Sequence, residues 1–117
     1  MNHPVVLVST MFERIVSRLA TYLGATVGLG SQLALENGLC TGKIVGETCS
    51  GGRKVVFARR FLEQAYPEIA LRNCIAYADS GSDIPFLTAV GFQVAVYPDE
   101  AMRAAALEAG WIVYGSE

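Results

Sequence analysis

The sequence contains a single histidine, His3, and only 17% of its 117 residues are charged. A lone histidine near the terminus, with no acidic neighbour, gives no basis for a catalytic triad. Positive and negative charges nearly balance, at a formal net charge of −2, so the chain has no basic excess for binding nucleic acid. More than half of the residues are hydrophobic (52%), which is the composition of a well-buried globular domain.

The sequence also lacks the cysteine pattern of a disulfide framework and any apolar run long enough to span a membrane. The three cysteines, Cys40, Cys49 and Cys74, are odd in number and unevenly spaced, which favours reduced thiols over a disulfide framework or a zinc site. The uncharged stretches are too short and too interrupted by glycine to cross a bilayer. The first residues lack the basic flank of a signal peptide. We therefore expect a cytoplasmic protein that contacts neither membranes nor nucleic acid, folded as one domain over residues 1–117.

Strand-like and helix-like patterns alternate along the chain, which predicts an α/β fold with a mainly parallel sheet. The first unit is a β-branched strand over Pro4–Ser9, followed by a helix with Thr10 as N-cap and Gly24 as its stop. A short strand over 25–30 and a hairpin with its turn at Asn37-Gly38 come next. The remaining predicted helices are 54–65, 83–90 and 100–109, and the remaining strands are 74–78, 92–97 and 111–114.

Two aspartates stand where a predicted buried strand turns into a helix. Asp79 follows the apolar run Cys74–Ala78, and Asp83 opens the helix marked by Pro85. Two carboxylates four residues apart at the carboxyl end of a parallel strand suit Mg²⁺. Each has an ordinary alternative, since Asp79 is a common turn residue and Asp83 is a common helix N-cap.

Two further positions carry groups that bind phosphate. Ser9 and Thr10 combine hydroxyls with the backbone N–H groups of a predicted helix N-terminus, although Thr10 could serve only as a cap. Lys54 lies in the first turn of a helix after Gly51-Gly52, where a cation opposes the helix macrodipole unless an anion compensates it. The alternative for Arg53 or Lys54 alone is a solvated surface cation.

In their order along the chain, these segments resemble the motifs of the haloacid dehalogenase superfamily, in particular its phosphoserine-phosphatase-like branch. Val5–Ser9 is similar to the second motif of that family, Lys54 after the Cys49–Gly52 loop to the third, and Tyr77–Asp83 to the fourth. The hairpin around Asn37-Gly38 follows the pattern of that branch as well. The resemblance implies a Rossmann-like core, a three-layer sandwich with a mainly parallel sheet and a β-hairpin.

The resemblance also implies roles for individual residues. Ser9, with Thr10 beside it, would hold the phosphoryl group, and Lys54 would neutralise its charge. Asp79 and Asp83 would hold Mg²⁺, with Lys54 and Asp83 belonging to the catalytic set. A small phosphorylated metabolite would be the substrate.

One motif of that family has no counterpart here. Its first motif, Asp-x-Asp-x-Thr, supplies an aspartate nucleophile that forms a phospho-aspartate, and the three aspartates of this chain, Asp79, Asp83 and Asp99, form no such pair. The chain therefore resembles the C-terminal portion of the family core, without the central first strand and without the cap. The strands Pro4–Ser9 and Cys74–Ala78 would each be left with an open edge. We expect one of three repairs, namely direct pairing of those strands, insertion of a second copy, or insertion of a separate segment.

Three functional hypotheses follow. The first is a Mg²⁺-dependent phosphomonoester hydrolase that is complete only when an N-terminal segment supplies the nucleophile. The second is an inactive remnant of the fold that binds phosphate, metal or a protein partner, or that forms a homo-oligomer. The third is a fragment with no function of its own.

Overall fold

The computed structural model describes residues 3–36, 39–45 and 52–115. Within these ranges strands and helices alternate as the sequence predicts. The strands are β1 (Val6–Phe12), β2 (Val27–Glu36), β3 (Leu39–Val45), β4 (Ile75–Ala78), β5 (Phe92–Val96) and β6 (Ile112–Tyr114). The helices are α1 (Glu13–Leu23), α2 (Arg53–Ala65), α3 (Ile84–Ala89) and α4 (Glu100–Ala109), with short 3₁₀ turns at Leu71–Asn73 and Gly81–Asp83.

The strands form two three-stranded sheets, in the orders β1-β2-β3 and β4-β5-β6. Strands β1 and β2 pair in parallel, as do β4 with β5 and β5 with β6. Strands β2 and β3 pair antiparallel, with Glu36 opposite Leu39, so the predicted hairpin is confirmed. Its Asn37-Gly38 turn lies outside the described residues, as does most of the Cys49–Gly52 loop. The α/β class with largely parallel strands is therefore confirmed.

The two sheets are separate at the position where the family resemblance predicts a missing central strand. Within the described ranges, β1 and β4 each lie at the end of a sheet and have one paired edge. Direct pairing of the two strands, one of the three expected repairs, is thus not what the structure shows. Helix α2 contacts both β1 and α3, so it connects the two halves of the fold.

The core of the second half lies on one side of its sheet. Helices α3 and α4 pack against that face, and the core residues Ala76, Leu87, Val90, Ala95, Met102 and Ala106 are buried there. The alternate strand positions give the other face, on which Ile75 opposes Phe92 and Val94 opposes Ile112. Large side chains of this face are 57–64% exposed, at Ile75, Tyr77, Phe92, Ile112 and Tyr114. Parallel sheets normally have both faces covered, so this open apolar face is unusual.

Two predicted boundaries are wrong. Strand β1 continues to Phe12 and helix α1 begins at Glu13, so Thr10 lies in the strand and is not an N-cap. Two hydrogen bonds hold this segment extended: the Met11 N–H donates to Ser9 Oγ, and the Thr10 carbonyl accepts from Ser31 Oγ on β2. The strand predicted over 25–30 and the first strand of the predicted hairpin form one continuous strand, β2. Gly24 ends α1 in the left-handed conformation (φ 76°), as predicted.

Candidate functional site

The turn between β4 and α3 is held by its own serines. Ser80 accepts a hydrogen bond at Oγ from the Ser82 N–H (3.2 Å), and the two serine hydroxyl oxygens lie 3.0 Å apart. The Asp83 N–H donates to the Ser80 carbonyl at 2.9 Å, which closes the 3₁₀ turn Gly81–Asp83. This turn delivers Asp79 and Asp83 to the carboxyl end of β4, as the sequence predicts.

Asp99 anchors the same turn from the start of α4. Its two carboxylate oxygens accept from the Gly81 N–H at 3.1 and 3.0 Å, and Oδ1 also accepts from the Met102 N–H at 2.8 Å. The Asp99 N–H in turn donates to the Asp79 carbonyl at 2.8 Å. The hydrogen bonds from Met102 and Gly81 lower the pKa of the Asp99 carboxyl below the ordinary value of 3.8. Asp99 therefore caps α4, as predicted, and also fastens the aspartate turn to it.

Asp83 is buried against the ammonium group of Lys54. Lys54 Nζ lies 2.8 Å from Asp83 Oδ1, and both side chains are only 12% exposed. The contact is a charge contact without hydrogen-bond alignment, and no donor in the described part of the chain is aligned on this buried oxygen. Asp83 stands at the N-cap position of α3 but makes no side-chain capping bond. The alternative that Asp83 is merely a helix cap is therefore wrong.

Lys54 is held in place by the start of α2. This helix begins at Arg53 with Gly52 as its N-cap, and no side chain caps it. Gly52 lies close to Pro85, because a Cβ at Gly52 would be 4.0 Å from the Pro85 Cβ. The first turns of α2 and α3 therefore meet, which brings Lys54 to Asp83. Lys54 is thus not a solvated surface cation.

Ser9 and Thr10 lie in an irregular part of β1. The β1–β2 register shifts between Val8 and Phe12, so Ser9 and Thr10 lie where β1 is bulged. The Ser9 Oγ accepts from the Met11 N–H at 3.0 Å, which leaves its O–H able to donate elsewhere. Thr10 is exposed.

The structure brings some of the predicted site residues together and leaves others apart. Lys54 and Asp83 are in contact, and Asp79 is exposed at the other end of the same turn. Ser9 and Thr10 belong to a strand that α2 contacts. Their hydrogen bonds among the described residues are with Met11 and Ser31, and not with Lys54, Asp79 or Asp83. Convergence of Ser9 with the other three thus stays a prediction.

Sequence reasoning missed the second role of Asp99. The capping role was predictable, because Asp99-Glu100 precedes an alanine-rich segment. The hydrogen bond from Gly81 spans 18 residues, and no local sequence pattern predicts it.

The carboxylates present fit Mg²⁺. Mg²⁺ is usually bound through one or two carboxylates, with water and substrate phosphates completing its octahedron. The described residues contain no cluster of three or more His, Cys, Asp or Glu side chains, and they offer the pair Asp79 and Asp83. Carboxylate oxygens are hard ligands of the kind such an ion takes, and Asp83 Oδ1 makes no aligned hydrogen bond although the Lys54 ammonium contacts it.

The remaining chemically notable side chains have ordinary settings. His3 is exposed. The Cys74 thiol donates to the Ala70 carbonyl at 3.5 Å, and partial burial raises its pKa. No helix within the described ranges is both long and apolar enough to span a membrane.

Comparison with known proteins gives a consistent family signal. The model of the haloacid dehalogenase-like hydrolases matches residues 1–88. A probable phosphatase of Mycobacterium tuberculosis is 36% identical over 109 residues, which are 93% of this chain and 37% of that protein. A phosphoserine phosphatase of the same organism is also 36% identical, over 88% of this chain and 32% of its own length.

Solved structures show the same fold. A protein of unknown function from Bordetella pertussis superposes with a TM-score of 0.85 at 26% identity, over 94% of this chain and 50% of that one. A probable phosphoserine phosphatase from Vibrio cholerae superposes with a TM-score of 0.71 at 23% identity, over 86% of this chain and 31% of that one. The chain thus spans a third to two fifths of the length of the curated relatives above and a third to a half of these structures.

Proposed function

The chain belongs to the haloacid dehalogenase-like hydrolase family, and from that premise we propose that it carries the phosphate- and Mg²⁺-binding half of a phosphomonoester hydrolase. The observation that carries the proposal is the buried contact between Lys54 and Asp83 at 2.8 Å. A cation and a carboxylate at the carboxyl end of a parallel strand form a polar centre where α/β folds place their ligands. The names of the relatives make phosphoserine the first substrate to test.

The positively charged and donor groups of the chain would bind phosphate, and its carboxylates would bind the metal ion. The Lys54 ammonium would neutralise phosphate oxygens, and the first-turn N–H groups of α2 would add to that positive field. The Ser9 hydroxyl, which still has its hydrogen to donate, would bind a phosphate oxygen from the β1 side. Asp79 and Asp83 would hold Mg²⁺. When bound, Mg²⁺ supplies charge neutralisation at the phosphoryl oxygens.

Hydrolysis would need a nucleophile from another segment. Asp79, Asp83 and Asp99 are the three aspartates of this chain. The first two would hold Mg²⁺, and the Asp99 carboxylate accepts hydrogen bonds from Gly81 and Met102. The open edges of β1 and β4 give a place for one added strand bearing an Asp-x-Asp pair, since main-chain pairing on an exposed edge is a recurring mode of recognition. We propose that such an N-terminal segment is the complementing partner. The odd number and uneven spacing of the cysteines favour reduced thiols, and with them the cytoplasm as the site of action.

Phosphate binding tests the proposal directly. In an amide NMR titration of the chain with inorganic phosphate and Mg²⁺, the signals of Ser9, Lys54 and Asp79–Asp83 should shift, and Lys54→Met should weaken phosphate binding by about tenfold. Arg59→Met, an exposed cation on the same helix, is the matched control and should bind as the wild type does. The proposal fails if phosphate leaves these signals unmoved, or if the two variants weaken binding equally.

A second function is favoured by the open apolar face of the β4–β6 sheet. Exposed aromatic and aliphatic side chains on an uncovered sheet face fit binding to a partner or a second copy without turnover. Aryl phosphate hydrolysis with Mg²⁺, measured after addition of an N-terminal segment that bears the Asp-x-Asp pair, separates the two functions. Turnover that Asp79→Asn abolishes supports the enzyme, whereas inertness together with tight self-association supports the binding role.

A further inference from the structure

Asp99 makes more contacts with the aspartate turn than helix capping requires. An N-cap side chain needs one oxygen to accept from the amide three residues on, and Asp99 Oδ1 does so with Met102 at 2.8 Å. Its second oxygen accepts from the Gly81 N–H at 3.0 Å, and its own N–H donates to the Asp79 carbonyl at 2.8 Å. One residue thus holds the main chain at two points that enclose Ser80.

We propose that Asp99 is a positioning residue for the metal-binding turn and fixes the direction in which the Asp79 carboxylate leaves the main chain. The inference deepens the proposed function and rests on it. Asp79 itself is exposed, and in the part of the chain that the structure describes its side chain has no hydrogen-bond partner. Its orientation therefore depends on the main chain that carries it.

The packing of the turn on α4 supports this role. A Cβ added at Gly81 would lie 2.7 Å from the Ala101 Cβ, so only glycine lets the turn come this close to the helix. The same close approach brings the Gly81 N–H onto both oxygens of Asp99. Asp99 and Gly81 therefore act as a latch between the start of α4 and the metal-binding turn.

Capping and positioning can be separated by substitution. Asp99→Ser keeps a side chain that caps helices about as well as aspartate does. It has one uncharged oxygen in place of two, so the Gly81 N–H loses the contact that Oδ2 makes at 3.0 Å. Ala104→Gly does the reverse, because it weakens α4 at an exposed interior position and leaves the latch intact.

The test measures the Mg²⁺ affinity of the full chain, by titration calorimetry and by the NMR signal of the Gly81 amide. Thermal unfolding of each variant is measured in parallel. We expect Asp99→Ser to weaken Mg²⁺ binding by about tenfold while its thermal midpoint stays closer to the wild type than that of Ala104→Gly. Ala104→Gly should bind Mg²⁺ as the wild type does. This opposite order of affinity and stability is what a purely structural role would not give.

The two possible failures are distinguishable. If the wild type binds Mg²⁺ and Asp99→Ser binds it equally well, or if affinity follows thermal stability across the variants, the positioning role of Asp99 is overturned and the proposed function stands. If the wild type binds no Mg²⁺, the metal part of the proposed function is overturned, and this inference with it.

Discussion

At the scale of single residues, the Lys54–Asp83 pair is the most informative contact. Sequence alone marked Lys54 because a cation in the first turn of a helix opposes the macrodipole. It could not show that the opposing charge comes from Asp83, 29 positions further along, because that contact depends on how α2 meets α3. In the sequence, Lys54 could be a solvated surface cation and Asp83 a helix N-cap. The burial of both side chains excludes the first alternative, and the absence of a capping bond from Asp83 excludes the second.

The first prediction concerns the stability of this pair. Lys54→Met should lower the free energy of unfolding by about 1–3 kcal/mol, because it leaves the Asp83 carboxylate buried without its cation. Adding Asp83→Leu to that variant should restore most of the loss, since a buried pair is often replaceable by apolar side chains. Urea unfolding measures both variants. A double variant less stable than Lys54→Met would contradict the account.

The second prediction concerns the pH dependence that Asp99 contributes. Its folded-state pKa is lowered by the hydrogen bonds from Met102 and Gly81, so its stabilising contribution is present above the ordinary value of 3.8 and is lost as the pH falls through the lowered folded value. The stability difference between the wild type and Asp99→Ala, measured by urea unfolding, should therefore be constant near neutral pH and shrink below 3.8. A difference that grows on acidification would contradict this sign.

At the scale of elements, the hydrophobic periodicity and the cap and turn residues predicted most of the fold. The apolar runs gave β4 and β5, Asp99 and Gly110 gave both ends of α4, and the hairpin was found from its turn dipeptide. The start of α1 was wrong because the Thr10–Glu13 spacing imitates a capping box. The competing bonds from Ser31 and Met11 come from tertiary structure and from a strand bulge, which no helical pattern encodes.

The third prediction tests the bulge of β1. A Cβ at Gly30 would lie 2.3 Å from the Met11 carbonyl oxygen, so Gly30→Ala must push β2 away from the segment that carries Ser9. We expect a loss of about 1–3 kcal/mol in the free energy of unfolding.

Gly52→Ala is the matched control for that substitution. Gly52 has ordinary helical angles, and a Cβ there would be 4.0 Å from its nearest neighbour, Pro85. It should stay within about 0.5 kcal/mol of the wild type. Equal effects of the two substitutions would show that the close approach at Gly30 does not matter.

At the scale of the whole molecule, the structure divides where the family resemblance predicts a missing strand. The sheets β1-β2-β3 and β4-β5-β6 are bridged by α2, and the sheet of the second half leaves an apolar face open. The apolar runs predicted buried strands. Such a run shows that a strand is hydrophobic, but it does not show whether another element covers each face of the sheet. Exposed Ile75 and Tyr77 are the clearest instances.

The fourth prediction concerns that face. Ile75→Lys together with Ile112→Lys should reduce self-association in sedimentation velocity while leaving far-ultraviolet circular dichroism unchanged, because both side chains are more than half exposed. Tyr22→Lys, a still more exposed apolar position on α1, is the control and should have no effect. If Tyr22→Lys reduced self-association as much as the two sheet substitutions do, the association would be nonspecific.

The central claim is that Asp79 and Asp83 form a metal site beside Lys54. The most direct measurement is a crystal structure of the chain with Mn²⁺ and phosphate, with the metal located by anomalous scattering. The account predicts one strong peak between the carboxylates of Asp79 and Asp83, with phosphate reaching Lys54 and Ser9. A peak elsewhere, or an ordered phosphate that touches neither Lys54 nor Ser9, would contradict it.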